Sequence, residues 1–141
     1  MGTNIPIDTN GGKHEKPELL YPALSYQLYG ICFDTHNELG RFAREKQYGD
    51  AVEERLKEKK IAYKRECAIG TSGNVADFIV GNAIVIELKA KRTLTREDFR
   101  QLQNYLQQTG LRLGLLVNFR EQKIKPRRIV RIDTRPWILA V

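Results

Sequence analysis

No apolar run in this 141-residue chain approaches the roughly 18 residues that a membrane-spanning helix needs. It has only two cysteines, Cys32 and Cys67, each alone in an apolar stretch with no CxxC spacing. A cysteine-built zinc site and a disulfide framework are therefore excluded, and buried free thiols are expected. The first residues, MGTNIPIDTNGGKHEK, lack the apolar core and charged leader of a targeting peptide. Residues 1–18 are expected to form a disordered tail, and the protein is expected in the cytoplasm. His14 lies in that tail and receives no role. What remains is 41% hydrophobic and 29% charged, the balance of a soluble globular protein, with residues 19–141 long enough for one domain.

Acidic residues are in short supply, 17 against 24 Lys and Arg, for a formal net charge of +7. The excess is local. Residues 120–141 carry seven basic groups against Glu121 and Asp133, and residues 55–65 carry six against Glu58. Two basic segments in one small domain suit a polyanion, because each phosphate contact releases counterions without reading sequence. Lys123, Lys125, Arg127 and Arg128 are the candidate nucleic-acid contacts.

Helical spacing comes first along the chain. Leu24, Leu28, Ile31, Thr35 and Leu39 recur on one face before Gly40, and Tyr48, Val52 and Leu56 recur every four residues despite Gly49. The period then changes: IAYKRECAI, VADFIV and AIVIELKA are short, β-branched and separated by GTSGN and GN, which predicts three antiparallel strands. Thr95 and Asp98 resemble a capping box ahead of Phe99, Leu102, Tyr105 and Leu106, with Gly110 as the stop. LRLGLLVNF reads as a further strand and RRIVRI as either a last strand or a helix start. The connection through a helix suits a crossover between parallel strands, so the expected fold is α/β, a mixed sheet flanked by helices.

IVIELKA, residues 84–90, places charge where burial is expected. With a period of two, Ile84, Ile86 and Leu88 share one face, while Val85, Glu87 and Lys89 share the other. Either charge alone is costly to desolvate. Ten residues before Glu87, Asp77 is a second carboxylate in an apolar strand. A three-residue loop at Gly81, Asn82 and Ala83 puts Asp77 directly across from Glu87; a two-residue Gly81-Asn82 turn slips the register and turns Asp77 away. Adjacent carboxylates repel unless a cation or proton lies between them, so the three-residue register implies a metal site. Asp77, Glu87 and the carbonyl of Leu88, with water, form an oxygen shell that selects Mg2+ or Mn2+ over zinc. Lys89 beside it would orient or deprotonate a water and stabilise charge developing on a phosphate. An E-x-K on a strand is ordinarily a surface ion pair, but Asp77 and the following helix strengthen the catalytic reading. There Gln101 and Tyr105 share a face: Gln101 is a candidate site residue, and for Tyr105 core packing competes with a site role.

Asp77, then IELK, then Q-x-x-x-Y at Gln101 to Tyr105 resembles the PD-(D/E)XK nuclease superfamily, the last element being similar to that of its RecB-like branch. Within it, THNELG, REKQY, IVIELKA, QLQNYLQQTGLRLGLLVNF and KPRRIVRI resemble, in order, the GxxExxY family over residues 25–131. The resemblance implies a restriction-endonuclease-like core, a divalent metal held by Asp77 and Glu87 with Lys89 beside it, and Glu45 of E-x-x-Y as a further carboxylate. Phe42 stands where the pattern has glycine, and Ala76 precedes Asp77 where the superfamily name has proline. His36 is expected to pack or cap. DTRPWILAV, with Trp137, lies outside the resemblance.

These residues point to a metal-dependent nuclease acting on DNA. The alternatives are a nucleic-acid-binding module that keeps the fold without cutting, and a structural domain whose charged strand is an ion-pair cluster. Cutting both strands of a duplex would need two active sites, so a homodimer is a further expectation. Without a recognition helix, backbone contacts should dominate over base reading.

Overall fold

The computed structural model describes residues 20–133. The expected tail over 1–18, with His14, and Arg135 and Trp137 lie outside the described residues. Pro22 opens α1 (Pro22–Leu39) in the first turn, where a missing N–H is no loss, and Gly40 ends it, donating its N–H to the His36 carbonyl at 2.8 Å. In α2 (Glu45–Glu58) the four-residue spacing is realised: Tyr48, Val52 and Leu56 are all buried. After α2 come β1 (Tyr63–Ile69), β2 (Asn74–Val80), β3 (Ile84–Lys89), α3 (Arg96–Thr109), β4 (Leu113–Asn118) and β5 (Arg127–Val130). RRIVRI thus supplies an edge strand and not a helix start. At α3 the Thr95 N–H donates to Asp98 Oδ2 at 2.7 Å, the half of a capping box that Asp can provide.

The five strands form one sheet in the order β1-β2-β3-β4-β5. All neighbours are antiparallel except β3 and β4, which run parallel through α3. Helices α1 and α2 cover one face, packing Leu28, Ile31, Tyr48 and Leu56 with Phe78, Ile84, Ile86, Leu88 and Leu115. Helix α3 covers the other, packing Leu102, Tyr105 and Leu106 with Ile69, Ala76, Val85 and Leu116. Strands β3 and β4, covered on both faces, read accordingly as near-continuous apolar runs. The result is the α/β, mixed-sheet, restriction-endonuclease-like architecture expected from the sequence.

Two irregularities of the strand pairing set where the acidic side chains lie. The β2–β3 hairpin takes the three-residue alternative: Val80 pairs with Ile84, and Gly81 and Asn82 both have positive φ in a turn closed by the Ala83 N–H on the Val80 carbonyl. In β1–β2 one register runs from Tyr63↔Val80 to Ile69↔Asn74, interrupted where Glu66 faces Asp77. Glu66 has φ 54, and Ala76 and Phe78, two residues apart, pack on opposite faces of the sheet. Regular strand residues two apart share a face, so the hairpin reverses its faces at Glu66 and Asp77.

Candidate active site

Backbone pairing between β2 and β3 stops at Phe78↔Ile86, one step before Asp77 would face Glu87. From there the two carboxylates take over the hydrogen bonds. The Asp77 N–H donates to Glu87 Oε1 at 2.8 Å, and the Leu88 N–H donates to Asp77 Oδ2 at 2.7 Å. Each acid is fixed by a peptide of the opposite strand, which explains how a carboxylate is tolerated on a buried strand. Glu87 is only 5% exposed. Burial, then the Asp77 charge, pushes its carboxyl up to about 8; Lys89 opposes this. Burial likewise raises Asp77, with Glu45 adding to the push and the Leu88 N–H, Lys89 and Arg65 opposing it.

The face reversal turns Asp77 toward α2. There it shares a cavity of about 240 Å³ with Glu45, Arg65, Glu66 and Leu88. Glu45 is the first residue of α2 and exposed. Lys89, its side chain 20% exposed, lies on the α3 side, as does Val85. Its Nζ reaches Gln101 Oε1 at 3.5 Å and Asp98 Oδ1 at 3.9 Å. Tyr105 is buried in the α3 core, where burial and then the Glu87 and Asp77 charges raise its hydroxyl. Core packing accounts for it. Of the expected set, Asp77, Glu87 and the Leu88 peptide meet directly, Lys89 meets Gln101, and Glu45 meets Asp77 only across the cavity. Among the described residues no three His, Cys, Asp or Glu side chains form a group that would alone hold a metal ion.

The donor chemistry nonetheless fits a hard divalent cation. Asp77 Oδ1 and Glu87 Oε2 carry no hydrogen bond among the described residues, and neither is a sealed, unpartnered polar atom. The nearby cation does not neutralise the pair, since Lys89 directs its ammonium to Gln101 and Asp98. Two acidic oxygens thus remain open beside a lysine, an oxygen-donor set of the kind Mg2+ and Mn2+ take.

Several contributors escape the sequence. Asp98 is both helix cap and counter-charge: against the upward push of its burial, Lys91 at 2.8 Å and the Thr95 N–H hold it below the usual carboxylate range. Buried Asn118, at the end of β4, accepts the Lys91 N–H and returns its amide to the Lys91 carbonyl, fixing the chain just beyond Lys89. A buried polar residue ending an apolar strand is the signal that could have found it. Arg65 passes over Gly49, where an added Cβ would stand 2.5 Å from Nη2, and bonds Asp50 and Glu53 at 2.8 Å each. The tip of the Arg65 side chain thus lies where an alanine methyl at position 49 would stand. Tyr48 of E-x-x-Y is wholly buried: its hydroxyl donates to the Gly40 carbonyl at 2.5 Å and its ring stacks on Phe119. His36 bonds the Glu121 carbonyl at 2.9 Å, a packing role as expected.

The basic segment is not uniformly exposed. Lys123 and Lys125 are exposed. Arg127 pairs with Glu121 at 3.0 Å. Arg128 turns inward, donating to Ser25 Oγ at 2.9 Å and the Leu20 carbonyl at 3.2 Å, because its position opposite Leu115 directs it toward α1. It ties β5 to α1. Cys32 is a buried free thiol that burial pushes up to about 12, while free Cys67 is only partly buried. No described helix is long and apolar enough to cross a membrane.

No curated protein matches the chain. Among solved structures it is similar to SSO0001, at 23% identity over 91% of this chain and 75% of that one, TM-score 0.48. It is also similar to an alkaline exonuclease (LHK-Exo) from Laribacter hongkongensis, at 17% identity over 88% and 77%, TM-score 0.45. The model of the PD-(D/E)XK nuclease superfamily matches residues 22–132, which span the acidic pair, Lys89 and Gln101. On that match the chain belongs to the PD-(D/E)XK nuclease superfamily, a group of nucleases that are in general dependent on a divalent metal ion.

Proposed function

We propose that the chain is a metal-dependent deoxyribonuclease that hydrolyses phosphodiester bonds in DNA. Asp77, Glu87 and the Leu88 carbonyl would hold Mg2+ or Mn2+, with Glu45 as a further carboxylate across the cavity. The observation that carries this reading is the mutual fixing of Asp77 and Glu87, which leaves one oxygen of each open. When bound, a divalent ion supplies positive charge that activates water and offsets charge developing on the phosphate. This chain's residues do the rest. The N–H groups of Asp77 and Leu88 orient the two carboxylates, and burial keeps the pair poorly hydrated, so bound charge counts for more. Gln101 and Asp98 hold the Lys89 ammonium in place, and from there it orients the attacking water or stabilises the phosphate.

The finer identity rests on the same residues. Glu45 and Tyr48 at E-x-x-Y spacing support membership of the GxxExxY family. We read the protein as one domain over 19–141, acting in the cytoplasm. Lys123, Lys125, Arg127 and Arg128 would contact the DNA backbone, Arg128 through the N–H groups not spent on Ser25 and Leu20. A homodimer would supply the second site for cutting both strands of a duplex.

The test is cleavage of single-stranded, duplex and branched DNA by the full chain with Mg2+ or Mn2+, wild type against Lys89→Ala. The proposal expects cleavage by the wild type and a loss of about two or more orders of magnitude in Lys89→Ala with DNA binding retained. Binding of DNA without cleavage of any of these substrates replaces it with the binding module.

A further inference from the structure

Phe42 is 74% exposed, in the short connection between α1 and α2. A ring so open is costly to leave in water, and it stands where the G-x-x-E-x-x-Y pattern has glycine. Two guanidiniums lie against it: that of Arg41 at 5.0 Å from the ring centroid and that of Arg120 at 5.4 Å. They are locked to each other. Arg41 Nε donates to the Arg120 carbonyl and Arg120 Nε to the Arg41 carbonyl, both at 2.9 Å. Their Nη groups have no hydrogen-bond partner among the described residues. Even with both guanidiniums beside it, most of the residue's surface stays open.

The cluster is also tied to the candidate active site. Phe42 precedes Glu45 by three residues. Below it, Tyr48 holds both ends of the connection, donating to the Gly40 carbonyl and accepting the Ala43 N–H at 3.1 Å. Arg120 comes directly after Phe119, whose N–H donates to the Lys89 carbonyl at 2.8 Å, and the Arg120 N–H bonds Asn118 Oδ1 at 3.3 Å. An exposed aromatic ring beside two guanidiniums whose Nη groups have no partner among the described residues, next to the end of the strand that carries Asn118, has the parts of a site for an unpaired base. The ring offers a stacking surface, and the guanidiniums meet the flanking phosphates.

We infer that Phe42, flanked by Arg41 and Arg120, is a stacking platform for an unpaired nucleobase, so that the substrate enters as a single strand or a frayed end. This rests on the nucleic-acid reading of the adjacent site and adds the strandedness of its substrate. A paired, stacked base offers no free face to Phe42, whereas an unpaired one does.

The test is binding without metal, so that nothing is cut. An oligodeoxynucleotide carrying 2-aminopurine is titrated with the full chain, as a single strand and as a fully paired duplex. Wild type should quench 2-aminopurine in the single strand. Phe42→Ala should lose the quench and weaken single-strand binding at least about fivefold, with duplex affinity and melting temperature unchanged. Phe42→Trp should restore both the quench and the affinity. Equal losses on single strand and duplex, or no loss on either, would overturn the platform. So would loss of self-association on sedimentation in Phe42→Ala with single-strand affinity intact, which would make the occupant a second copy of this chain. If the wild type binds neither form, the nucleic-acid reading itself fails; if it binds both and Phe42→Ala changes nothing, only the platform does.

Discussion

The backbone N–H of Asp77 donates to Glu87 Oε1 at 2.8 Å, while the Asp77 carboxylate takes the N–H of Leu88, the next residue along from Glu87. Neither acid can turn away without leaving a part-buried peptide N–H unpaired, at a cost of about 1–3 kcal/mol. The two carboxylates are therefore held near each other although they repel. Lys89 does not relieve the repulsion by pairing with them. That strain is what a divalent cation would relieve.

Metal-free stability should fall as pH rises toward about 8. Burial, then Asp77, pushes Glu87 up from 4.5 to about 8. Between those values the folded chain holds more protons than the unfolded chain. The stabilisation is thus fully present below 4.5 and lost by up to roughly 1.4 kcal/mol per pH unit toward 8. Asp98, held low, acts below this window. Urea unfolding at pH 5.5, 6.5 and 7.5, run at fixed ionic strength, should show the decline in wild type and a flatter line in Glu87→Gln. A rising wild-type line would contradict the assignment.

Gly49→Ala should stabilise less in wild type than without Arg65. In wild type the new methyl must push aside the tip of the Arg65 side chain, which bonds Asp50 and Glu53, so part of the helix-propensity gain should be lost. In Arg65→Ala the same substitution should stabilise α2 by about 0.5–1 kcal/mol, the helix propensity of alanine over glycine. Denaturant melts of the four proteins of this double-mutant cycle decide it; an equal gain in both backgrounds would show that Arg65 is not held there.

Basic residues of one segment should separate into two kinds. Lys123→Gln and Lys125→Gln should each leave the melting temperature unchanged and flatten the salt dependence of DNA binding by about 0.7–0.9 per lost contact. Arg128→Gln should instead destabilise the fold, by roughly 1–3 kcal/mol, since it removes charge-assisted bonds to Ser25 and the Leu20 carbonyl. A salt slope altered by Arg128→Gln but not by the lysines would reverse the assignment.

Asp77, Glu87 and Lys89 stand out in the sequence because a charge on an apolar strand breaks a short-range pattern; strand period assigns Lys89 its face, but not Asp77. The hairpin was legible only as two alternatives, since Gly81 and Asn82 accept positive φ in either loop. The face reversal at Glu66 and Asp77 was not legible: alternation predicts the same face for Ala76 and Phe78, and the reversal coincides with a positive φ at Glu66 that a glutamate does not announce. A run of basic residues does not say which of them faces a helix; the register of Arg128 opposite Leu115 does. Asp98 announced itself as a helix cap, but its approach to Lys89 depends on the path of residues 90–95, which no local pattern encodes. Phe42 was visible only as a departure from a pattern, and its exposure between two arginines required the fold.

The central claim, that Asp77 and Glu87 form a divalent-metal site, is tested most directly by calorimetric titration of Mn2+ into the metal-free full-length chain at pH 8. Saturable binding is expected in wild type and in Lys89→Ala, and should be lost in Asp77→Asn and Glu87→Gln. No binding by the wild type, or binding that survives both carboxylate substitutions unchanged, would contradict it.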